Sequence, residues 1–177
     1  MERDLKKNSF DTGLILGGIL LLIATLTYSI NFKLFLDTSL GIAISFTIIG
    51  AGTYSIFKTK TFNGGTITFK DAFKSYFIAT AIGYLIYWIW MFIIYNIIDP
   101  EAARVIDEQA MLMAKEMFEN LGVAQEMIAM SMEEMSKNSN FSLLNILATY
   151  CFKLILYSLV GLLTSLIFFL LYPPKKT

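Results

Sequence analysis

The chain has 177 residues, of which 56% are hydrophobic and 16% charged, and its 14 basic residues balance its 14 acidic residues. A soluble domain carries about a quarter charged residues, so this composition is typical of a protein dissolved in lipid. Balanced charge argues against nucleic-acid binding, and the absence of histidine excludes histidine-based catalysis and most zinc sites.

The first predicted transmembrane helix covers residues 10–32. At about 1.5 Å per residue, a helix of this length crosses a hydrocarbon core of roughly 30 Å. Its apolar run is too long for a cleaved signal peptide and no small-residue cleavage site follows it, so we expect an uncleaved helix with Ser9 or Asp11 near its N-cap. Gly13 and Gly17 have the small-residue spacing that serves either packing inside a bundle or dimerisation.

The second predicted span covers residues 39–57, after a short link that makes the first two helices an antiparallel hairpin. Residues 58–75 follow as a connecting segment. Gly64 and Gly65 permit a tight turn within it. The diglycine lacks the lysine and hydroxyl end of a P-loop, so a structural turn is favoured over a phosphate site.

The end of this connecting segment has the pattern of a helix start. Thr68 and Asp71 have the spacing of a capping box. Phe69, Phe73 and Phe77 then recur at every fourth residue on one face, beside a face that carries lysines. We therefore predict a cytoplasmic elbow whose helix lies on the inner membrane surface before the chain turns into the third span.

The third predicted span covers residues 76–98 and is rich in tyrosine and tryptophan. Aromatic rings at the ends of a span favour the membrane–water boundaries. Tyr87, Trp88 and Trp90 lie away from the ends of this span, so we expect their side chains to face other helices.

The last apolar run, residues 141–172, is too long for one perpendicular crossing and contains Lys153. Either Lys153 is a buried cation inside the membrane, or the fourth span covers only residues 154–172 and Lys153 extends to the outer interface. The high cost of burying an unpaired lysine favours the second interpretation. The outer helical segment then covers residues 99–153.

The outer segment is acidic between residues 99 and 140, with nine acidic residues against three basic ones. Asp99 is placed to cap a helix, and Pro100 suits its first position. An apolar stripe at spacings of three and four follows, and Gly122 is placed to end the helix. A second helix is expected at about residues 124–137, which makes an amphipathic helical hairpin. The stripe consists of Ala103, Ile106, Ala110, Met113, Met117 and Leu121.

Seven of the nine methionines lie in the outer segment, namely Met111, Met113, Met117, Met127, Met130, Met132 and Met135. Thioether sulfurs bind Cu(I), which makes a metal site one interpretation. The other interpretation is that methionine fills adaptable apolar faces, and it is favoured because several of these residues lie on the stripe and no histidine or cysteine joins them. The acidic residues lack the spacing of an EF-hand loop. We therefore predict no metal site and no cofactor.

The distribution of basic residues predicts the orientation of the chain. Nine of them flank one side of the predicted spans and four flank the other. The positive-inside rule places the first group, and with it both termini, in the cytoplasm. The first group is Arg3, Lys6, Lys7, Lys58, Lys60, Lys70, Lys74, Lys175 and Lys176, and the second is Lys33, Arg104, Lys115 and Lys137.

The chain also resembles a known family. Its pattern Gly-Gly-x-Ile-Thr-Phe-x-x-Ala-Phe, from Gly64 to Phe73, is followed by an aromatic span that ends in Asp99-Pro100. This combination is similar to the bacterial domain-of-unknown-function family 4199, and the resemblance covers nearly the whole chain. It implies a small multi-pass protein of the cytoplasmic (inner) membrane in Bacteroidota-type bacteria. It implies no activity and no catalytic residues.

Together these elements predict an all-α membrane protein that forms one domain over residues 1–177. We expect a four-transmembrane-helix bundle with an extracytoplasmic amphipathic helical hairpin between spans 3 and 4. Because no catalytic set is present, we expect an interaction or assembly component and not an enzyme. The alternative is a subunit of a small-solute transporter or channel. The expected partners are membrane lipids and either a second copy of the chain or another envelope membrane protein, with no nucleic acid.

Overall fold

A computed structural model describes residues 2–174, with side chains from Leu5 onward. Nearly all of this range is helical, and no strand occurs within it, which confirms the all-helical class. A 3₁₀ turn, Phe32–Leu36, follows the first helix, and a π-helical turn, Ile94–Ile98, continues the third. The α-helices are α1 (Glu2–Asn31), α2 (Thr38–Phe62), α3 (Phe69–Ile93), α4 (Pro100–Asn120), α5 (Gln125–Ser136) and α6 (Leu143–Leu171).

Four segments are long and apolar enough to cross a membrane, namely Leu5–Leu36, Thr38–Phe62, Phe69–Ile98 and Leu143–Leu171. Their number agrees with the predicted four-helix membrane bundle. The first three segments are longer than the predicted apolar runs because backbone hydrogen bonding continues through polar flanking residues that hydropathy does not mark. The fourth lies within the predicted run of residues 141–172 and begins before the predicted span of residues 154–172. The fourth is one unbroken helix in which Lys153 lies about 15 Å from the first residue, Leu143.

Helix α3 is the centre of the bundle. It packs against α1, α2 and α6, whereas α1 and α6 do not contact each other within the described range. α1 and α3 run in one direction, while α2 and α6 run in the other. As a result, the starts of α1 and α3 and the ends of α2 and α6 meet at one end of the bundle.

This end, which we call the basic end, carries the described lysines of the predicted cytoplasmic group: Lys6, Lys7, Lys58, Lys60, Lys70 and Lys74. Lys60 extends its ammonium over the ring of Tyr172, 3.8 Å from the centroid. Arg3, Lys175 and Lys176, the other three members of the predicted group, lie outside the described side chains. The opposite end carries α4 and α5, and we call it the hairpin end.

Glycine allows α1 to approach α3 closely. A Cβ atom added at Gly13 would lie 2.9 Å from Ile82 Cβ, and one at Gly17 would lie 2.5 Å from Ile86 Cδ1. These distances are far shorter than a normal carbon–carbon contact, so both positions need glycine. Of the two predicted roles of this pair, the structure uses it for packing inside the bundle.

Two local predictions are wrong. Ser9 and Asp11 are not at a helix cap, because α1 begins at Glu2 and both residues lie within it. The elbow has no separate helix on the membrane surface either. α3 begins at Phe69 and continues as one helix to Ile93, and Ala72, Ser75 and Tyr76 in its first turns are fully buried against the bundle.

The expected inward orientation of the aromatic residues is confirmed for Tyr87 and Trp88, which are buried. Trp90 is half-buried and donates its indole N–H to Thr25 Oγ1 at 2.9 Å, which joins α3 to α1. The ring of Tyr84 lies within 6.0 Å of Trp88 and at 5.5 Å from Tyr157 on α6. This aromatic layer fills the half of the bundle nearer the hairpin end.

Candidate functional site

The diglycine turn has the conformation that the sequence predicts. Gly64 and Gly65 have φ angles of +69° and +87°, in the left-handed region that favours glycine. The Gly65 amide donates to Lys60 O at 3.0 Å, which satisfies a carbonyl at the end of α2. A Cβ atom at either glycine would meet nothing within 4 Å, so the requirement is conformational and not steric.

Replacing Gly65 with alanine is therefore expected to destabilise the protein by about 1–2 kcal/mol through backbone strain alone. Gly50→Ala is the matched control, since Gly50 is an exposed residue inside α2 with open space around it. Alanine there is expected to stabilise the helix by about 0.5–1 kcal/mol. Thermal unfolding in mild detergent measures both. Equal effects of the two substitutions would contradict the conformational explanation.

After the turn, the chain is attached to α6 and enters α3 through the predicted cap. Ile67 is buried and its amide donates to Tyr172 O at 2.9 Å. The Asp71 amide donates to Thr68 Oγ1 at 3.1 Å, and the Thr68 hydroxyl donates back to the Asp71 carboxylate at 2.8 Å. The diglycine pattern thus closes the basic end of the bundle.

The phenyl rings beyond this cap are directed partly outwards. Phe69 and Phe77 are exposed on the bundle surface, while Phe73 is half-buried and lies 6.0 Å from the Phe77 ring. The exposed rings occupy the position expected for contact with acyl chains.

Asp99 and Pro100 lie at the opposite end, where they join the bundle to α4. The Asp99 carboxylate accepts the Ala102 amide at 3.0 Å and the Tyr28 hydroxyl at 2.9 Å. Pro100 occupies the first turn of α4, where its missing N–H is no loss. The predicted helix cap is confirmed, and the bond to Tyr28 on α1 is an additional contact that the sequence does not reveal.

The chain returns from α5 to α6 through a second set of anchors. Asn140 donates both its backbone and side-chain N–H groups to one Asp107 oxygen, at 3.1 and 2.8 Å. Phe141 is fully buried and stacks on Tyr95 with ring centroids 4.1 Å apart. Asn96 donates to Phe141 O at 2.9 Å. These contacts hold both ends of the α4–α5 hairpin against the end of α3.

Beyond these anchors, the hairpin presents an apolar surface to its surroundings. Ile106 on α4 is buried, but Met113 and Met117, on the same stripe, are 52% and 53% exposed. Gly122 has a φ of +71° and forms the turn between the helices, as predicted. The hairpin surface, as we call it, consists of Leu112, Met113, Met117 and Leu121 of α4 with Met127 and Met130 of α5.

The charged residues of the hairpin pair mainly with each other. Arg104 pairs with Glu101 and Glu108, and Lys115 lies 4.0 Å from Glu119. The hydrogen bond from the Arg104 guanidinium lowers the pKa of the Glu101 carboxyl. All are exposed, and such pairs add little stability. Among the described residues, no three His, Cys, Asp or Glu side chains are grouped in a way that holds a metal ion.

A buried polar cluster at the basic end is absent from the sequence prediction. Its members come from three helices and are each at most 4% exposed. The Ser75 hydroxyl lies 3.0 Å from Ser9 Oγ, 2.7 Å from Ser55 Oγ and 2.8 Å from Thr59 Oγ1. Asn8 donates to Thr59 Oγ1 at 3.0 Å. We call Asn8, Ser9, Ser55, Thr59 and Ser75 the hydroxyl cluster.

The chemistry of the hydroxyl cluster is that of hydrogen bonding. Its members carry no group that titrates near neutral pH, so the cluster offers neither a general base nor an activated nucleophile. Because lipid supplies no hydrogen-bond partners, such buried hydroxyls join helices to each other. The sequence gives only a weak signal for this cluster. A Ser or Thr hydroxyl in an apolar helix can also donate to a backbone carbonyl of its own helix, as Thr12 does to Asn8 O.

The predicted site residues therefore lie in three separate places. Asp99 and Pro100 lie at the hairpin end. Six of the predicted site residues lie at the basic end, namely Gly64, Gly65, Thr68, Phe69, Asp71 and Phe73. Lys153 lies between them, exposed on α6 beside α2. The structure does not bring these residues together into one site.

Comparison with known proteins agrees with the resemblance seen in the sequence. No curated protein and no solved structure matches the chain. The model of a protein family of unknown function, DUF4199, matches residues 11–169, which covers the four apolar helices and the hairpin between them. The chain is thus a multi-pass helical protein that belongs to the DUF4199 family.

Proposed function

We propose that the protein is an interaction or assembly component of the bacterial cytoplasmic membrane and that the hairpin surface is where it docks a partner protein. The observation that carries this proposal is the continuity of the α4 stripe. The same face that packs on the bundle at Ile106 continues, uncovered, through Met113 and Met117. Contiguous exposed apolar surface on a folded protein marks an interaction site.

The composition of this surface supports a protein partner. Methionine side chains are flexible and polarisable, so they adapt to the surface of another protein. Arg104 and Lys115 lie on the opposite face of α4, where they pair with carboxylates of the same helix. A partner that binds Met113 and Met117 therefore does not have to desolvate these ion pairs.

The distribution of basic residues supports placement of the hairpin outside the cytoplasm. The lysine-rich basic end and the hairpin are at opposite ends of the bundle, and lysine is enriched on the cytoplasmic side of membranes. A second copy of the chain and another envelope membrane protein are the two partners that this arrangement admits.

Cysteine cross-linking in intact membranes tests this proposal. Single cysteines replace Met113 or Met117 in a Cys151→Ser background, because Cys151 is exposed and would react. Lys115→Cys is the matched control, since that side chain is 52% exposed on the opposite face of the same helix. We expect cross-links from the two methionine positions, to a second copy or to another protein, at least about tenfold more than from position 115, because contact at a helix is confined to one face.

Two results of this experiment would contradict the proposal. One is equal cross-linking from all three positions, which indicates random collision. The other is monomers alone, with positions 113 and 117 labelled by a lipid-phase probe. In that case the hairpin surface lies on the membrane and the bundle has no partner there.

The alternative of a transporter or channel has less support. The buried polar side chains of the described range all lie in the half of the bundle nearer the basic end: Asn8, Ser9, Thr12, Ser55, Thr59, Ser75, Thr80 and Ser165. The other half is filled by the aromatic layer around Tyr84, so among the described residues the buried serine, threonine and asparagine side chains form no line from one end of the bundle to the other. The same residues offer no set for acid–base or nucleophilic catalysis, and we propose no enzymatic activity.

A further inference from the structure

A groove of about 370 Å³ lies on the bundle surface between α2 and α6. One charged side chain, Lys153 of α6, lines it. The remaining lining residues all belong to α2 and are Thr38, Gly41, Ile42, Ser45, Phe46 and Ile49. The groove is held open because α2 and α6 both pack on α3 and contact each other over only a short stretch.

Within the described part of the chain, Lys153 has no hydrogen-bonding or ion-pairing partner in this groove. Among the described residues, no carboxylate forms an ion pair with it. Asp37, the acid at the start of α2, caps the helix by accepting the Leu40 amide at 3.0 Å. An unpaired ammonium within a transmembrane helix is costly unless an anion or water reaches it.

The lining of the groove is polar at one end and apolar at the other. Thr38, Gly41 and Ser45 occupy the part nearer the start of α2, and Ser45 also bonds to the Tyr157 hydroxyl at 3.1 Å. Phe46 and Ile49 occupy the part that leads towards the membrane centre. From Thr38 to Ile49 the groove follows about 16 Å of helix, roughly half of a hydrocarbon core. A polar headgroup followed by an acyl chain has the same order and dimensions.

We propose that this groove binds one phospholipid, with its phosphate at the Lys153 ammonium and an acyl chain along Ile42, Phe46 and Ile49. The phosphate supplies the negative charge that Lys153 lacks, and the hydroxyls of Thr38 and Ser45 are additional polar groups beside it. The leaflet is the one at the hairpin end. This site is independent of the hairpin surface and does not require the proposed docking function.

Native mass spectrometry of the full chain, released from mild detergent with added phosphatidylglycerol, tests the site. Lys153→Met is expected to weaken retention of the first bound lipid about fivefold, because one lysine near a lipid phosphate contributes about 1 kcal/mol. Lys153→Arg is expected to retain binding. Lys33→Met is the matched control, since Lys33 is exposed at the same end of the bundle outside the groove.

A second pair of variants tests the groove without changing charge. Gly41→Leu is expected to fill the groove and weaken lipid retention by a similar factor, because Gly41 lines the groove and a Cβ atom added there meets nothing within 4 Å. Gly50→Leu is the control, because Gly50 has equally open surroundings on the same helix and does not line the groove. Size-exclusion chromatography verifies that all variants fold.

The proposal is overturned if the Lys153 and Gly41 variants retain lipid as the controls do. It is also overturned if diacylglycerol, which lacks the phosphate, binds as well as phosphatidylglycerol does. Displacement of the lipid by millimolar inorganic phosphate would show an anion site without acyl-chain recognition and would likewise contradict it.

Discussion

Replacing Gly161 with leucine is expected to destabilise the bundle by about 3 kcal/mol or more, at the upper end of overpacking effects. A Cβ atom at this position of α6 would lie 2.6 Å from Tyr76 Cε1. The Tyr76 ring cannot move away, because a Cβ atom at Gly52 on α2 would lie only 2.5 Å from its other edge. The ring is thus held between two glycines on two helices.

Thermal unfolding in mild detergent measures this effect, with Gly50→Leu as the control, since a Cβ atom added at Gly50 meets nothing within 4 Å. A double variant, Gly161→Leu with Tyr76→Ala, identifies the cause. If the leucine acts by colliding with the ring, the double variant is more stable than the sum of the two single effects predicts. If the stability effects of the two substitutions simply add, or if Gly161→Leu is as stable as the unchanged protein, the Tyr76 ring does not need glycine beside it.

Replacing Ser75 with alanine is expected to destabilise the protein by about 2–3 kcal/mol. The Ser75 hydroxyl contacts three other hydroxyls and donates to Ser55 O at 3.0 Å. Hydrogen bonds within membranes average about 0.6 kcal/mol each, and leaving buried groups without partners adds about 1–3 kcal/mol. The effect is larger than that of a single bond because Ser75 joins α1, α2 and α3 at one point.

Ser158→Ala is the matched control for this prediction. Ser158 lies in the apolar part of α6, and its hydroxyl donates only to Leu154 O of the same helix, at 2.7 Å. Its loss is expected to change the unfolding midpoint little. If Ser75→Ala and Ser158→Ala have the same effect, the hydroxyl cluster does not hold the three helices together.

Local signals in the sequence were sufficient to predict several of the helix termini. Thr68 with Asp71, Asp99 with Pro100, and Gly122 each act within one turn of chain, through hydrogen bonds or φ angles that the residues themselves impose. The four long apolar segments were equally predictable, because lipid requires every backbone polar group to be bonded within its own helix. These features establish the fold class and the number of candidate spans.

The errors occurred where a residue depends on distant partners. Ser9 is a residue type that often caps helices, but it lies inside α1, where its hydroxyl is within hydrogen-bonding distance of Leu5 O of the same helix and of Ser75 Oγ, 66 residues away. The start of α3 has the amphipathic pattern of a surface helix, yet burial of Ala72 and Tyr76 against other helices makes it part of the bundle.

The sequence by itself determined that this protein is a four-span helical membrane protein with a capped hairpin between its third and fourth spans. It also determined the turn at Gly64 and Gly65, since positive φ is a property of the residue. Only the tertiary structure decided which glycines pack closely against a side chain of another helix and which hydroxyls meet in the hydroxyl cluster. It also decided that Lys153 faces a groove beside α2. These depend on how the helices are rotated and offset against each other, which is decided by contacts between segments far apart in the chain.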